Sequence, residues 1–161
     1  MTDPAWLIIA RRYLGVRELP GAANSPIIQR WLVNLRAWWA DDATPWCGVF
    51  CAEVMREAGI PRPKAWYRAK AWAEWGVRLT LPVVGCVVVF ERQGGGHVAF
   101  VVGTDEAGRL MCLGGNQGDA VTIAPFLRER VIAYRWPTAD IPVYAPLPLI
   151  SSRAASSVNE S

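Results

Sequence analysis

The sequence predicts an α+β domain in which N-terminal helices pack on a C-terminal antiparallel β-sheet. Apolar residues recur at helical spacing through the first half of the 161-residue chain. The second half carries short runs rich in β-branched and aromatic residues, which the turn-forming stretches RQGGG, TDEAG and GGNQGD separate. Helices that precede the strands, rather than alternating with them, are typical of an α+β domain.

The composition fits one folded domain that buries a sizeable core. Hydrophobic residues make up 52% of the chain and charged residues 19%. The net charge of +3 is small and scattered, so we expect no nucleic-acid partner. The apolar run at 81–90 is too short to cross a bilayer and is interrupted by Pro82 and Gly85, so we expect no membrane insertion.

Two helices are predicted before the first cysteine. Residues 4–14 have an amphipathic pattern that stops near Gly15. Ser25 and Pro26 are typical of an N-cap and a first helical position, so a second helix is expected over 26–40. Its predicted apolar stripe consists of Ile27, Ile28, Trp31, Leu32, Leu35, Trp38 and Trp39.

A third helix is predicted over residues 46–58, directly after a turn at 41–45. Gly59 supplies its C-terminal stop. A shorter fourth helix is predicted over 65–75, and it ends at Gly76.

Five strands are predicted in the second half of the chain, and a domain boundary follows them. The predicted strands are 83–90, 97–103, 109–113, 120–123 and 131–136. From Pro137 the chain carries four prolines in twelve residues, followed by a polar end. We therefore expect a folded domain over 1–137 and an extended proline-rich arm with a polar tail over 138–161.

Cys47 is the first candidate for a chemical role. It lies in the first turn of the third predicted helix, where free backbone amides and the helix dipole stabilise a thiolate. Cys51 lies one turn deeper, where that effect fades, and is the better core thiol. Free cysteines are commonly buried as small hydrophobic residues, so packing is an alternative for both. Cys86 and Cys112 fall inside predicted strands and are expected in the core.

His97 is the only histidine in the chain. It follows three glycines and begins a predicted strand, which places it at the rim of the sheet. A lone histidine is often a surface or core residue. The presence of a candidate nucleophile favours a role as its acid–base partner, because a cysteine hydrolase needs one thiol and one imidazole. With one histidine and no CxxC pair, the sequence predicts no zinc site, and no metal or cofactor is expected.

A third group is needed to hold the imidazole in one tautomer. The stretch LGGNQGDAV offers Asn116, Gln117 and Asp119 after the third predicted strand. If 109–113 pairs antiparallel with 97–103, the loop that follows returns toward His97. Asn116 is the preferred candidate and Asp119 the reserve, although a plain turn explains the same composition.

The order PWCGVF, GGGHVAFVVG, LGGNQGDAV and YRWP resembles the small CHAP and NlpC-type cysteine peptidases, closest to a phage-associated subgroup. The resemblance spans roughly residues 5–137. It implies a papain-like fold and cleavage of an amide bond in peptidoglycan, within the stem peptide or at the sugar–peptide link. Carried onto matching positions, it makes Cys47 the nucleophile, His97 the base and Asn116 the orienting residue. Many CHAP members have a glutamate two positions before that asparagine, where this chain has Gly114.

Two further residues are candidates for substrate binding. Trp46 adjoins the nucleophile and could form a groove wall, since indoles stack on sugars and peptides. Asp42 could bind a substrate amine, although first-turn capping and simple solvation are the more common roles for Asp41 and Asp42. Core packing is the alternative for most of the nine tryptophans, including the three at 66–75.

The resemblance also sets expectations for biology. The N-terminus lacks the features of a signal peptide, so we expect synthesis in a host cytoplasm. The protein would act at the cell wall or periplasm as an endolysin, or be carried in a virion with the arm contacting tail or other virion proteins. The main alternative is a non-catalytic wall-binding or virion structural domain. Acyl transfer with the same three residues is a further one.

Overall fold

The computed structural model describes residues 2–21 and 23–152, and it confirms the α+β prediction. The α-helices are α1 (Ala5–Arg12), α2 (Pro26–Asn34) and α3 (Cys47–Glu57), and two 3-10 helices cover Ala69–Glu74 and Arg128–Arg130. The strands are β1 (Val77–Leu79), β2 (Val87–Arg92), β3 (Gly95–Thr104), β4 (Leu110–Gly114), β5 (Thr122–Phe126) and β6 (Val131–Trp136). Helices first and an antiparallel sheet second is an arrangement compatible with the papain-like fold.

The six strands form one antiparallel sheet in the order β1-β6-β2-β3-β4-β5. In the β2–β3 hairpin, His97 lies opposite Phe90. In the β3–β4 pair, Phe100 lies opposite Leu113. This register confirms that the chain leaving β4 returns toward the start of β3, where His97 lies.

The second helix begins as predicted but ends early. The Ser25 side chain accepts a hydrogen bond from the Ile28 amide at 3.3 Å, so it caps the helix before Pro26. The prediction that α2 continues to residue 40 is wrong, because Arg36 adopts a left-handed conformation (φ 57°) just after the helix. The Ala37 amide then bonds back to the Leu32 carbonyl at 2.9 Å, a pattern that closes a helix C-terminus.

Helix α3 agrees with its predicted bounds to within a residue at each end. Its buried face packs on the sheet, where the Phe50 ring meets the Phe100 ring edge-on at 6.2 Å. Gly59 follows the helix in a left-handed conformation (φ 73°), as expected of a C-terminal stop. In α3, eight of the first nine residues have apolar side chains or none, and all nine are buried, so this helix forms the centre of the core.

The segment predicted as a fourth helix over 65–75 contains no α-helix. Only Ala69–Glu74 is helical, and it is a 3-10 helix. Trp72 is buried there and donates its indole N–H to the Trp66 carbonyl at 2.9 Å. After Gly76 the chain forms β1, which the sequence analysis missed because three residues carry too short a pattern to be recognised.

Two predicted strands are displaced along the chain. The strand predicted over 83–90 begins at Val87, because Gly85 turns the chain with φ 90°. The strand predicted over 120–123 is instead Thr122–Phe126, which includes Pro125. Proline is accommodated because β5 is an edge strand, so one side of its backbone needs no strand partner.

The described part of the arm runs back along the sheet. The Thr104 amide donates to the Pro148 carbonyl at 2.9 Å, and the Ile150 amide donates to the Thr104 carbonyl at 2.8 Å. Leu147 and Ile150 pack against the core. The remainder of the predicted tail, 153–161, lies outside the described residues, so the boundary at 137 stays a prediction. Among the residues described, no helix has the length and apolar character to span a membrane.

Candidate active site

Cys47 is the first residue of α3, and its side chain is 9% exposed. All four cysteines are free thiols. Cys51, Cys86 and Cys112 are 0% exposed, as core residues would be. Cys47 therefore differs from the other three both in its position at a helix N-terminus and in its contact with solvent.

The two sulfurs of α3 lie against a single residue of β3. The Val98 backbone lies close enough to the Cys47 thiol to lower its pKa, and the Cys51 thiol lies 3.9 Å from the Val98 carbonyl oxygen. The register between β3 and β4 begins only at Phe100, so Val98 has no partner residue in β4. The structure thus places the Cys47 sulfur beside the residue that directly follows His97.

Burial dominates the electrostatics of this thiol. It raises the pKa of Cys47, while the Val98 and Gly48 backbones and the positive charge of Arg92 act in the opposite direction. The helix N-terminus alone therefore does not give a low thiol pKa, contrary to the simplest expectation from the sequence. Ionisation of Cys47 needs a further cationic partner, which an imidazolium can supply.

His97 is fully buried on an aromatic wall. Its ring is nearly parallel to those of Phe90 and Phe126, with centroids 6.3 Å and 5.3 Å away. These contacts fix the plane of the imidazole. The guanidinium of Arg130 lies 5.8 Å from each phenyl ring and so covers the same wall.

Gln117 holds the ring edge of His97. Its Oε1 lies 3.0 Å from His97 Nε2. Its Nε2 donates to the carbonyl oxygens of Cys112 at 3.2 Å and Thr122 at 2.9 Å. Because only the NH₂ group can donate to two carbonyls, the orientation of the amide is fixed, and its oxygen must accept from the imidazole. The neutral His97 ring therefore carries its hydrogen on Nε2, which leaves Nδ1 as the basic nitrogen.

The glycine at position 114 makes room for this glutamine. A Cβ built on Gly114 would overlap Gln117 Oε1 and approach the Ala99 Cβ to 2.9 Å. The Gln117 amide thus fills space next to the position where the resemblance led us to look for a glutamate. Gln117 is one of the candidates that the sequence offers for orienting His97, but Asn116 is the preferred one. The signal that the sequence analysis lacked was that a glycine on β4 frees space for a side chain three residues later.

Asn116 and Asp119 are placed differently from Gln117. Asn116 is buried with a left-handed backbone (φ 59°), and its Oδ1 has no hydrogen-bond partner among residues 2–21 and 23–152. Asp119 lies beside Glu18, whose amide donates to the Asp119 carbonyl at 3.0 Å. The assignment of Asn116 as the orienting residue stays a prediction.

Trp46 is buried rather than open to a groove. It is 1% exposed and donates its indole N–H to Glu18 Oε1 at 3.0 Å. Its ring lies 6.0 Å from that of Trp31, and a Cβ on Gly115 would be 2.9 Å from it. A substrate could reach the Trp46 ring only by displacing these neighbours, so we do not propose Trp46 as a substrate contact.

Asp42 is buried as well, and it links two segments of the chain. Its Oδ2 accepts hydrogen bonds from the amides of Leu19 at 2.8 Å and Ser25 at 2.7 Å. Asp41 forms a local turn instead, accepting from the Thr44 amide at 2.7 Å. The hydrogen bonds of Asp42 are structural, so we do not propose Asp42 as a substrate ligand either.

Residues 39–116 match the family model of the CHAP domain. The matched segment includes Cys47 and His97 and ends at Asn116, one residue before Gln117. A separate comparison of the chain with curated proteins found no match.

Replacing Asp42 tests its structural role. Asp42→Ala leaves the part-buried amide of Leu19 and the buried amide of Ser25 without acceptors, so we expect the free energy of unfolding to fall by about 3 kcal/mol. Urea denaturation followed by circular dichroism measures this loss. Asp41→Ala is the matched control and should change stability far less. A fully stable Asp42→Ala protein that binds substrate poorly would instead restore Asp42 as a substrate ligand.

Thiol accessibility tests the difference between the four cysteines. Iodoacetamide should alkylate Cys47 first in the folded protein, because the other three thiols are fully buried. For them, burial raises the pKa of Cys86 to about 12 and the pKa values of Cys51 and Cys112 well above normal. Peptide mass spectrometry measures the order, and unfolding in guanidinium should equalise the four rates. Equal labelling of Cys47 and Cys51 in the folded state would contradict this placement.

Proposed function

We propose that this protein, whose residues 39–116 match the family model of the CHAP domain, is a cysteine hydrolase that cuts an amide bond in peptidoglycan. CHAP domains generally act on peptidoglycan as amidases or peptidases. The observation that carries the proposal for this chain is the proximity of the Cys47 thiol, at the start of α3, to the backbone of Val98, the residue after His97. A thiol and an imidazole on neighbouring elements are the minimum that the chemistry requires.

The reaction begins with proton transfer from the Cys47 thiol to Nδ1 of His97. The resulting thiolate attacks the carbonyl carbon of the scissile amide and forms a C–S bond, while the carbonyl oxygen becomes an oxyanion. His97 then gives its Nδ1 proton to the amide nitrogen as the C–N bond breaks, which releases an amine and leaves a thioester. In the second half, His97 takes a proton from water and the hydroxide attacks the thioester. The C–S bond breaks, a carboxylic acid is released, and the proton on His97 returns to the sulfur to regenerate the Cys47 thiol.

The start of α3 stabilises the oxyanion in this scheme. The first four amides of an α-helix have no acceptor within the helix, and Cys47 is the first residue of α3. The Cys47 amide can therefore donate to the oxyanion, which is worth about 3 kcal/mol for one well-placed donor. The same element thus supplies the nucleophile and a stabilising dipole.

His97 must be held for both proton transfers, and we propose Gln117 as its positioning residue. Gln117 is neutral, so it fixes the ring and its tautomer without adding a negative charge beside it. A carboxylate in this place would stabilise the imidazolium further. The charge of the thiolate–imidazolium pair is therefore balanced within the pair itself and by Arg92, which lowers the pKa of Cys47.

The finer assignments extend this proposal. The motifs resemble those of phage-associated members, which favours a phage lysin that cleaves within the stem peptide or between the sugar and L-alanine. Mass spectrometry of digested sacculi separates the two bonds, because an amidase frees the amine of L-alanine whereas an endopeptidase frees an amine within the stem. A wall-binding domain without catalysis would release no soluble fragment at all.

Exchange of each cysteine of α3 tests the proposed nucleophile. Cys47→Ala should reduce the release of soluble fragments from sacculi by at least about a thousandfold, because no other group replaces the thiolate. Cys51→Ala removes a sulfur one turn away and should retain most of the activity, which makes it the matched control. Circular dichroism verifies that both variants fold. Fragment release by Cys47→Ala near the wild-type rate would exclude the proposed mechanism.

Substitutions of Gln117 test its role in positioning His97. Gln117→Ala should lower kcat by roughly one to two orders of magnitude with little change in KM, because His97 loses its fixed tautomer. Gln117→Glu should keep more activity and move the alkaline limb of the pH–activity profile to higher pH, because a carboxylate stabilises the imidazolium. Asn116→Ala is the comparison variant. If Asn116→Ala is the more damaging change and Gln117→Glu leaves the pH profile unmoved, Asn116 is the orienting residue.

A further inference from the structure

Four aromatic residues form a cluster on the surface between α2 and the 3-10 helix at Ala69–Glu74. We call this cluster of Trp38, Trp39, Trp66 and Tyr67 the aromatic platform. The Trp38 ring meets the rings of Trp39 and Tyr67 edge-on, each at 4.8 Å, and Trp39 is stacked with Trp66 at 5.9 Å. Trp38 is 73% exposed, so the platform presents a large indole to solvent.

The early end of α2 creates this exposure. A continuous helix would have carried Trp38 and Trp39 along the buried stripe of Trp31 and Leu35. The left-handed turn at Arg36 instead directs the chain toward the segment that contains Trp66 and Tyr67. The exposed Trp38 indole gains no stabilisation from burial in the folded protein. Edge-on contacts with neighbouring rings hold it in place, so the exposed surface is apolar and already ordered.

The aromatic platform adjoins the first turn of α3. Gly48, which directly follows Cys47, lies against the backbone of Trp66 and Tyr67. A Cβ at Gly48 would overlap the Trp66 carbonyl oxygen and come within 3.1 Å of the Tyr67 carbonyl carbon. The platform therefore begins beside the candidate nucleophile, within the reach of a polymeric substrate held at Cys47.

Hydrogen-bond donors border the aromatic surface. Arg62, Lys64 and Trp66 line a shallow depression of about 370 Å³. The Arg62 Nε and the Trp39 indole N–H are buried atoms without a hydrogen-bond partner among the residues that the structure describes. The Arg68 guanidinium lies 5.9 Å from the Tyr67 ring. Acetamido oxygens, hydroxyls and carboxylates are the acceptors that such donors fit.

We propose that the aromatic platform binds N-acetylated sugar rings of the glycan strand, and this proposal rests on the proposed function for its choice of polymer. The indole face of Trp38 stacks on the C–H face of a pyranose ring, and the nearby donors bind its polar substituents. Contacts with the glycan hold the stem peptide near Cys47, so the platform supplies binding energy at a distance from the reacting bond. A second copy of the chain or another protein would cover the same surface without any response to sugar.

The test measures sugar binding in a protein that cannot cut its substrate. The Cys47→Ala protein is titrated with an N-acetylglucosamine tetramer, and binding is followed by tryptophan fluorescence and by calorimetry. We expect saturable binding that Trp38→Ala weakens by about tenfold, the loss of a typical aromatic contact. Trp38→Phe should recover part of the affinity, because it keeps an aromatic face.

Tyr144→Ala is the matched control, since Tyr144 is 55% exposed and lies in the arm outside the platform. It should bind the tetramer as the Cys47→Ala protein does. Absence of tetramer binding, or equal affinity of the Trp38→Ala and control proteins, would overturn the platform as a glycan site. This readout needs no catalysis, whereas the proposed function fails only when the wild-type protein releases no fragments from sacculi, so the two failures are distinguishable.

Discussion

The docking of the α3 N-terminus on the Val98 backbone is the contact on which the rest of the candidate site depends. It is one residue wide, yet both thiols of the helix lie against it, and it places Cys47 beside the residue that follows His97. The hydrophobic core holds this contact from both sides, through Phe50 and Phe100 and through the buried residues of β2 and β3. Catalytic chemistry at this point therefore relies on a packed core more than on any flexible loop.

Burial and reactivity oppose each other at this contact, and fixed dipoles and charge offset only part of the effect of burial. Desolvation raises the thiol pKa, while backbone groups and the Arg92 guanidinium act in the opposite direction. His97 is buried as well, where aromatic rings stack on the imidazole and one amide oxygen accepts from its Nε2 edge. Both groups are preorganised by neighbours that are themselves immobile, which is the arrangement that electrostatic catalysis requires.

The sequence predicted those features whose causes are local. Ser25 with Pro26 marked a helix start, Gly59 marked a helix end, and glycine-rich turns separated strands in the correct order. The end of α2 was missed because no residue type near Arg36 demands a left-handed turn. The hydrogen bond between His97 and Gln117 could not be predicted, because the Gln117 amide is oriented by two carbonyls that meet only after β4 and β5 pair. Side-chain placement of that kind depends on the tertiary structure, and the spacing of residues along the chain does not predict it.

The shared space between Gly114 and Gln117 also constrains how such a site can change over generations. A larger residue at 114 collides with the glutamine, and loss of the glutamine alone leaves the imidazole without its acceptor. Because neither single substitution is neutral, residues 114 and 117 must change together, or an intermediate sequence with an impaired site must exist between them. A lineage that has adopted one solution is thereby held in it, and the order of mutations, rather than the fitness of the end states, decides which solution a descendant carries.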